Sequence, residues 1–372
     1  MSKPMSVIDW CERGWIPDNV ARAGMRKLIA RRLVDEAATN GEKRAQRFAR
    51  FLAELRASPI AIETGAANDQ HYEVPAEFFH LHLGPRLKYS CCFYPNGDEA
   101  LDEAEEQMFR LYAMRAGLVD GQRMLDLGCG WGSLSLWLAE RYPNSPVVGL
   151  SNSHGQREYI LAQARERGLD NLQIVTGNIV DVEIPEAQLR DGPSTELSTG
   201  PSTGLRTGFD RILSIEMFEH MKNYGLLFAK VSRWLKPDGQ LFVHVFAHKL
   251  LAYHFEDEGD SDWMTRYFFT GGTMPSEHLF AHFQDDLKLE EQWWVNGRHY
   301  ERTANQWLAG MDAMQDEILD VFRKGYGDAD AKVWFQRWRM FYMAVAELFG
   351  YAGGEEWGVA HYRFTRRAER SA

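Results

Sequence analysis

Apolar and polar positions follow two different rhythms along the 372 residues. From Val7 to Ser58 apolar residues return every three or four positions, most regularly between Val20 and Leu55. This spacing predicts helices, with Ser6 and Asp18 as capping candidates. In the centre, the short apolar run that begins at Met124 and those at Val147–Leu150, Leu172–Val175 and Ile212–Ile215 predict buried strands. Leu101–Ala116 and Ser133–Arg141 read as helices among them. A turn at Pro237-Asp238-Gly239 leads into a further strand, Gln240–Phe246, and Trp357–Phe364 is strand-like. Strands alternating with helix-length segments predict a doubly wound, mostly parallel α/β sheet, with ligands outside the carboxyl ends of its strands.

On this pattern the chain divides into residues 1–70, a helical N-terminal region, residues 71–249, a Rossmann-like core, and residues 250–372, a substrate cap that also completes the core. Residues 190–208 interrupt the core with GPSTELST followed by GPSTGLRT, a tandem repeat of turn and polar residues expected to be a surface insertion without chemistry. Leu87–Tyr94 (LKYSCCFY) suits either core or a lid over a ligand. Leu250 to Asn296 is dense in aromatics and suits either core or a substrate cap; as a cap, Trp263 and Tyr267 would hold a cationic substrate over their rings.

The most informative stretch is MLDLGCGWGSL, Met124–Leu134, in which Gly128, Gly130 and Gly132 open the segment after a strand. Glycines at alternate positions let a backbone approach a ligand closely while amides and a helix N-terminus face it. The spacing G-x-G-x-G differs from the dinucleotide fingerprint G-x-G-x-x-G. Asp126 precedes the first glycine, where a carboxylate would repel a pyrophosphate but suit the ammonium and sulfonium groups of S-adenosylmethionine. A glycine-rich turn of this kind also occurs in many other α/β proteins.

Charge and composition narrow the partners. With 53 Asp+Glu against 42 Lys+Arg, a formal net charge of −11 and no long basic run, no nucleic-acid partner is expected. Arg22–Arg32 reads as a solvated helix face with an apolar stripe, a membrane-surface helix being the other reading. Cys11, Cys91, Cys92 and Cys129 lack C-x-x-C spacing and predict free thiols in a reducing compartment. No apolar leader and no stretch near the ~18 apolar residues of a membrane span is present, so a cytoplasmic protein is expected.

Blocks spread from Trp15 onward, YEVPAEFF, KYSCCFY, DEAEE, LDLGCGWGSL, VVGLSNS, IEMFEHM, FQDD, WWVNGRHYERT and GGEEWGVA, resemble the cyclopropane-fatty-acid synthase superfamily, and within it the coclaurine N-methyltransferase-like branch. The resemblance implies a Rossmann-like class I methyltransferase fold with a seven-stranded sheet, S-adenosylmethionine as methyl donor and S-adenosylhomocysteine as product. By the same resemblance Tyr89 and Ser90 match lid residues at the methionine part, and Gly128 and Gly130 the loop beneath it. Ser151, Asn152 and Gln156 match ribose and adenine contacts, Asn178 and Ile179 flank adenine, and Ser214 and Ile215 lie below the sulfonium. Amine methylators of this branch carry E-x-x-E-H at a strand end, matched by Glu216, Glu219 and His220. Cyclopropane synthases have glycine in place of Glu216 and hold a bicarbonate base with a set matched by Cys91, Glu219, His244 and Tyr300.

Methyl transfer from a sulfonium is a direct displacement that needs alignment and exclusion of water but no metal. An alkyl amine, with a pKa near ~10.4, arrives protonated and requires a base, which two acids and a histidine within five residues would provide. N-methylation of a small amine is therefore the expected activity. Cyclopropanation of a phospholipid acyl chain with a bicarbonate base, which alone would bring membrane contact, and S-methylation of a small thiol are the alternatives. A non-catalytic cofactor sensor is a fourth reading.

Overall fold

The computed structural model describes residues 5–36, 39–62, 76–184, 208–256 and 263–367. Its centre is a seven-stranded sheet in the order β3-β2-β1-β4-β5-β9-β8. The strands are β1 (Met124–Leu127), β2 (Val147–Ser151), β3 (Leu172–Thr176), β4 (Phe209–Ile215), β5 (Leu235–His248), β8 (Leu287–Asn296) and β9 (Trp357–Arg366). The first five pair in parallel, while β9 runs antiparallel to both β5 and β8. β6 (Tyr253–His254) and β7 (Thr273–Met274) form a separate two-stranded ribbon.

The predicted doubly wound sheet and its strands are present, with β5 extending beyond Gln240–Phe246 at both ends. Alternation along β5 explains why the sheet is buried on both faces. Leu241, Val243, Val245 and Ala247 join one apolar core, whereas Phe242 and Phe246 join the other, and His244 lies on the side of Phe242 and Phe246. β1 is wholly buried, as expected of a central parallel strand.

The helices are α1 (Val7–Glu12), α2 (Asp18–Asp35), α3 (Gly41–Ala57), α4 (Ala76–His82), α5 (Leu101–Ala116), α6 (Ser133–Arg141), α7 (His154–Glu166), α8 (Tyr224–Trp234), α9 (Trp263–Phe268), α10 (Arg298–Ala313), α11 (Gln315–Tyr326) and α12 (Ala331–Gly350). Helix α5 ends at Gly117, which takes the left-handed conformation (φ 59°) common at helix ends. Ser6 caps α1 through a capping box. Asp18, by contrast, is not a cap: Pro17 holds that position, and the Asp18 carboxylate pairs with Arg339 of α12 at 2.7 Å.

Both N-terminal helices dock on α12, through Glu12 to Arg337 and Arg22 to Glu347. Helix α3 lies on the opposite core with Phe51, Leu52 and Leu55 buried. Its C-terminal end and the chain after it are anchored by Asn223, whose side-chain amide donates to the carbonyls of Arg56 and Ser58, and by the Lys222 backbone amide, which donates to the Ile60 carbonyl. The four cysteines are free thiols. Among the described residues no helix is long and apolar enough to cross a membrane. The repeat at Gly192–Thr207 and the start of the YEVPAEFF block lie outside the described residues.

Candidate active site

The cofactor cleft is built by the first three strand ends. Gly128, Gly130 and Gly132 all have positive φ (85°, 50° and 78°), which a side chain would strain. The amides of Gly128 and Cys129 donate to the Leu150 carbonyl, locking the loop to the end of β2. A Cβ on Gly128 would lie 2.7 Å from the Met217 side chain, and one on Gly132 would lie 2.5 Å from Ile160 of α7. Two of the three glycines are thus required by packing as well as by backbone conformation.

Gly128, Gly130, Ser151, Asn152, Gln156, Asn178 and Ile179, all matched to the cofactor by resemblance, line one cleft. In it the Ser151 hydroxyl donates to the Gln156 side-chain oxygen at 2.7 Å, while the buried Gln156 Nε2 has no hydrogen-bond partner in the protein. A buried amide donor left open toward a cleft fits a ligand with hydroxyl or heteroaromatic acceptors. The glycine turn and the open Gln156 donor fit S-adenosylmethionine, a ligand that carries both hydroxyl and heteroaromatic acceptors.

Other expected cofactor contacts sit elsewhere. The Asp126 carboxyl accepts from the Ser135 hydroxyl at 2.7 Å in the core beneath the loop, and burial pushes its pKa up to about 7. Tyr89 packs between Phe79 and Trp307, and the Ser90 hydroxyl accepts from the buried Lys88 ammonium. The Ser214 hydroxyl donates to the Leu127 carbonyl, tying β4 to β1, and Ile215 packs on the core. None of these five lines the cleft. Ile62, Gly177, Met217, Met221, Thr270 and Gly271 do, and none of them was expected from the sequence. The doublet Gly271-Gly272 after an aromatic run was the one signal for the last of them.

The acid set stands at the end of β4. Glu216 has φ +49°, one of three positive values outside glycine among the described residues, so the backbone is strained where its carboxylate is aimed. That carboxylate meets three groups: Oε1 accepts from the Cys91 backbone amide at 3.0 Å and lies 3.1 Å from His244 Nε2, and Oε2 accepts from the Tyr300 hydroxyl at 2.7 Å. Burial raises the Glu216 pKa, against the pull of Lys88, the Cys91 amide and Tyr300. Burial also holds Tyr300 protonated and His244 neutral.

The resemblance grouped Cys91, His244 and Tyr300 with Glu219. In the structure all three meet Glu216, and Cys91 contributes its amide, its thiol facing the Cys92 carbonyl. Glu219 Oε1 accepts from the Phe246 amide at 2.8 Å, while Oε2 is buried without a hydrogen-bond partner. Its pKa is pushed well up, first by burial and then by Glu216. His220 lines the cleft with its ring stacked on Phe269, the centroids 5.7 Å apart.

Among the cap aromatics, Trp263 and Tyr267 are engaged by the protein itself. The Trp263 indole donates to Glu12, and the Arg337 guanidinium lies 4.0 Å from the Tyr267 ring centroid. Their expected role as a substrate cation cage is therefore replaced by a structural one. The Phe246 ring, on the strand residue whose amide binds Glu219, lies 5.4 Å from the Phe269 ring.

The sheet order and glycine-loop cleft are those of the class I methyltransferase fold, and with the relatives that follow they make the chain an S-adenosylmethionine-dependent methyltransferase. The chain belongs to the mycolic acid cyclopropane synthetase family, whose model matches residues 62–186 and 194–350. It is 37% identical to (S)-coclaurine N-methyltransferase of Thalictrum flavum subsp. glaucum, covering 96% of this chain and 94% of the relative. It is 31% identical to cyclopropane-fatty-acyl-phospholipid synthase of Escherichia coli (strain K12), covering 69% of this chain and 59% of that one. The crystal structure of a coclaurine N-methyltransferase bound to N-methylheliamine and SAH superposes with TM-score 0.88 at 36% identity, covering 97% of this chain and 99% of that one. A mycolic acid cyclopropane synthase complexed with SAH and CTAB shares the fold, with TM-score 0.63 at 20% identity over 82% of this chain and 99% of that one.

Proposed function

We propose that the enzyme N-methylates a small-molecule amine and that Glu216 takes the proton from it. The observation that carries this is the hydrogen-bond count at Glu216. An ionised carboxylate offers about four acceptor sites, and the Cys91 amide, His244 and Tyr300 fill three, so one is left for an N–H of the acceptor. S-adenosylmethionine supplies an electrophilic methyl group on a sulfonium. The protein's share is to desolvate the amine, align it and hold its proton.

The second carboxyl supports the same reading. Burial and the Glu216 charge both push the Glu219 pKa up, so Glu219 stays protonated and Glu216 carries the charge that an entering ammonium would pair with. Phe246 and Phe269 offer apolar and cation–π contact beside them. In the cyclopropane reading an external bicarbonate would occupy the set of Cys91, His244 and Tyr300, but Glu216 already takes hydrogen bonds from these groups. A thiolate acceptor would meet the Glu216 carboxylate, of its own sign.

Methyl-labelled S-adenosylmethionine offered together with pools of small amines, small thiols and unsaturated phospholipid vesicles, with and without bicarbonate, tests the reading. Label on a water-soluble amine is expected without bicarbonate. Label in acyl chains that depends on bicarbonate would overturn it, as would label confined to thiols.

A further inference from the structure

Behind the acid set, two histidines and an arginine run in series across the sheet. His244 on β5 and His361 on β9 are register partners in the antiparallel pairing, and both rings face α5. His244 Nε2 lies 3.1 Å from Glu216 Oε1, His244 Nδ1 lies 2.8 Å from His361 Nε2, and His361 Nδ1 lies 2.6 Å from Arg115 Nη1. The two rings are fully buried, while Arg115 is half-buried and covers the Trp293 ring at the sheet edge.

This order has only one consistent set of protons. A guanidinium has donors and no acceptor, so His361 Nδ1 must accept from Arg115. A neutral His361 then carries its hydrogen on Nε2 and donates it to His244 Nδ1. The Tyr112 hydroxyl, 3.0 Å from the same nitrogen, could only share that nitrogen's single lone pair as a donor, which agrees with an unprotonated His244 Nδ1. His244 is left with its hydrogen on Nε2, aimed at Glu216. We propose that Arg115 and His361 are positioning residues that fix His244 as an Nε2–H donor to the Glu216 carboxylate, and so keep that carboxylate ionised and ready to accept the proton of the amine.

The surroundings agree with neutral rings. Burial lowers the pKa of both histidines, and the cations Lys88 and Arg115 lower it further. Arg115 itself is lowered to about 10 by burial and remains a cation at neutral pH. The groups that face this chain are Lys88 and Cys91 before α5, Tyr112 and Arg115 on α5, Glu216 and Glu219 after β4, and Tyr300 on α10. With the other tautomer, His244 would present a lone pair to Glu216 and the carboxylate would lose one of three donors. Its pKa would then climb, and less of it would be ionised at a given pH.

The inference rests on the reading of Glu216 as the proton acceptor, and the test separates the two. Long-range nitrogen–proton NMR on histidine-labelled enzyme, with His244→Gln to assign the signal, reports the tautomer directly. A neutral Nε2–H form of His244 in the wild type is expected, and this result supports the relay whatever the acceptor proves to be. An Nδ1–H or doubly protonated ring would overturn it even in an active amine methyltransferase.

Two pairs of variants give the kinetic readout. Arg115→Met and His361→Phe should move the acidic limb of the kcat profile up by about one pH unit, about a tenfold loss of rate below that limb, with little change in cofactor affinity. Arg115→Lys keeps a donor, and His361→Gln keeps an acceptor for Arg115 and a donor for His244, so both should retain the wild-type limb. Equal pH profiles in all four variants would contradict the relay, and so would a loss that His361→Gln does not rescue.

Discussion

The Tyr300 hydroxyl donates to Glu216 Oε2 at 2.7 Å, across 84 residues of sequence, and it is one of three groups that hold a carboxylate in a buried site. A hydrogen bond to a charged group is worth ~1.5–3 kcal/mol, enough to decide whether this carboxyl is ionised near neutral pH. Tyr300→Phe removes the donor without changing the shape. It is expected to lower kcat about tenfold or more and to shift the acidic limb of the rate profile to higher pH. A stopped assay across pH 6 to 9, with cofactor affinity measured alongside, checks this.

The glycine loop gives a contrast between two neighbours. A Cβ at Gly128 meets Met217 at 2.7 Å, whereas a Cβ at Gly130 meets nothing within 4 Å, although both residues have positive φ. Gly130→Ala should cost only the backbone strain, ~1–2 kcal/mol of stability. Gly128→Ala should in addition displace Met217 from the cleft wall and weaken S-adenosylhomocysteine binding at least about tenfold. Calorimetric titration of both variants separates the effects.

Asp126 makes stability depend on pH. Its pKa is raised from 3.8 to about 7 by burial, so the folded state holds a proton that the unfolded state releases. Below about pH 4 both states are protonated and no penalty exists. As pH rises from about 4 to 7 the folded state loses stability, and above that the full penalty, on the order of 4 kcal/mol, persists. Asp126→Asn keeps an acceptor for Ser135 and removes the charge. It should raise the melting temperature at pH 8 and leave it nearly unchanged at pH 4.

Phe269 and Trp263 should behave differently although both belong to the aromatic cap. Phe269 stacks on His220 at the cleft, so Phe269→Ala is expected to raise KM for the amine more than it changes melting. Trp263 binds Glu12 of α1, so Trp263→Phe should cost ~1–3 kcal/mol of stability with KM for the amine unaltered. Thermal melts and acceptor saturation curves distinguish them.

Much of the frame is legible in the chain because its signals are local. Glycines and apolar runs mark β1 and α6, and the glycine after Ala116 stops α5 where the periodicity ends. The positions at or after the ends of β2 and β3 that the resemblance singles out, Ser151, Asn152, Gln156, Asn178 and Ile179, come together in one cleft. What escapes reading is set by distant contacts. Asp18 has the composition of a cap, but Arg339 claims its carboxylate from 321 residues away. Trp263 and Tyr267 resemble a cation cage, and Glu12 and Arg337 determine their use. His361 sits in a strand-like tail with nothing local to single it out. Its meaning arises from the β5–β9 register, which sets it against His244 across 117 residues.

The central claim is that Glu216 is the proton acceptor for an amine, and Glu216→Gln tests it most directly, since it keeps shape and polarity but not basicity. Initial rates of methyl transfer to a panel of secondary amines would be measured beside the dissociation constant for S-adenosylhomocysteine. A fall in kcat of ~10²–10⁴ with unchanged cofactor affinity is expected, whereas a rate within about threefold of wild type would contradict the role given to this carboxylate.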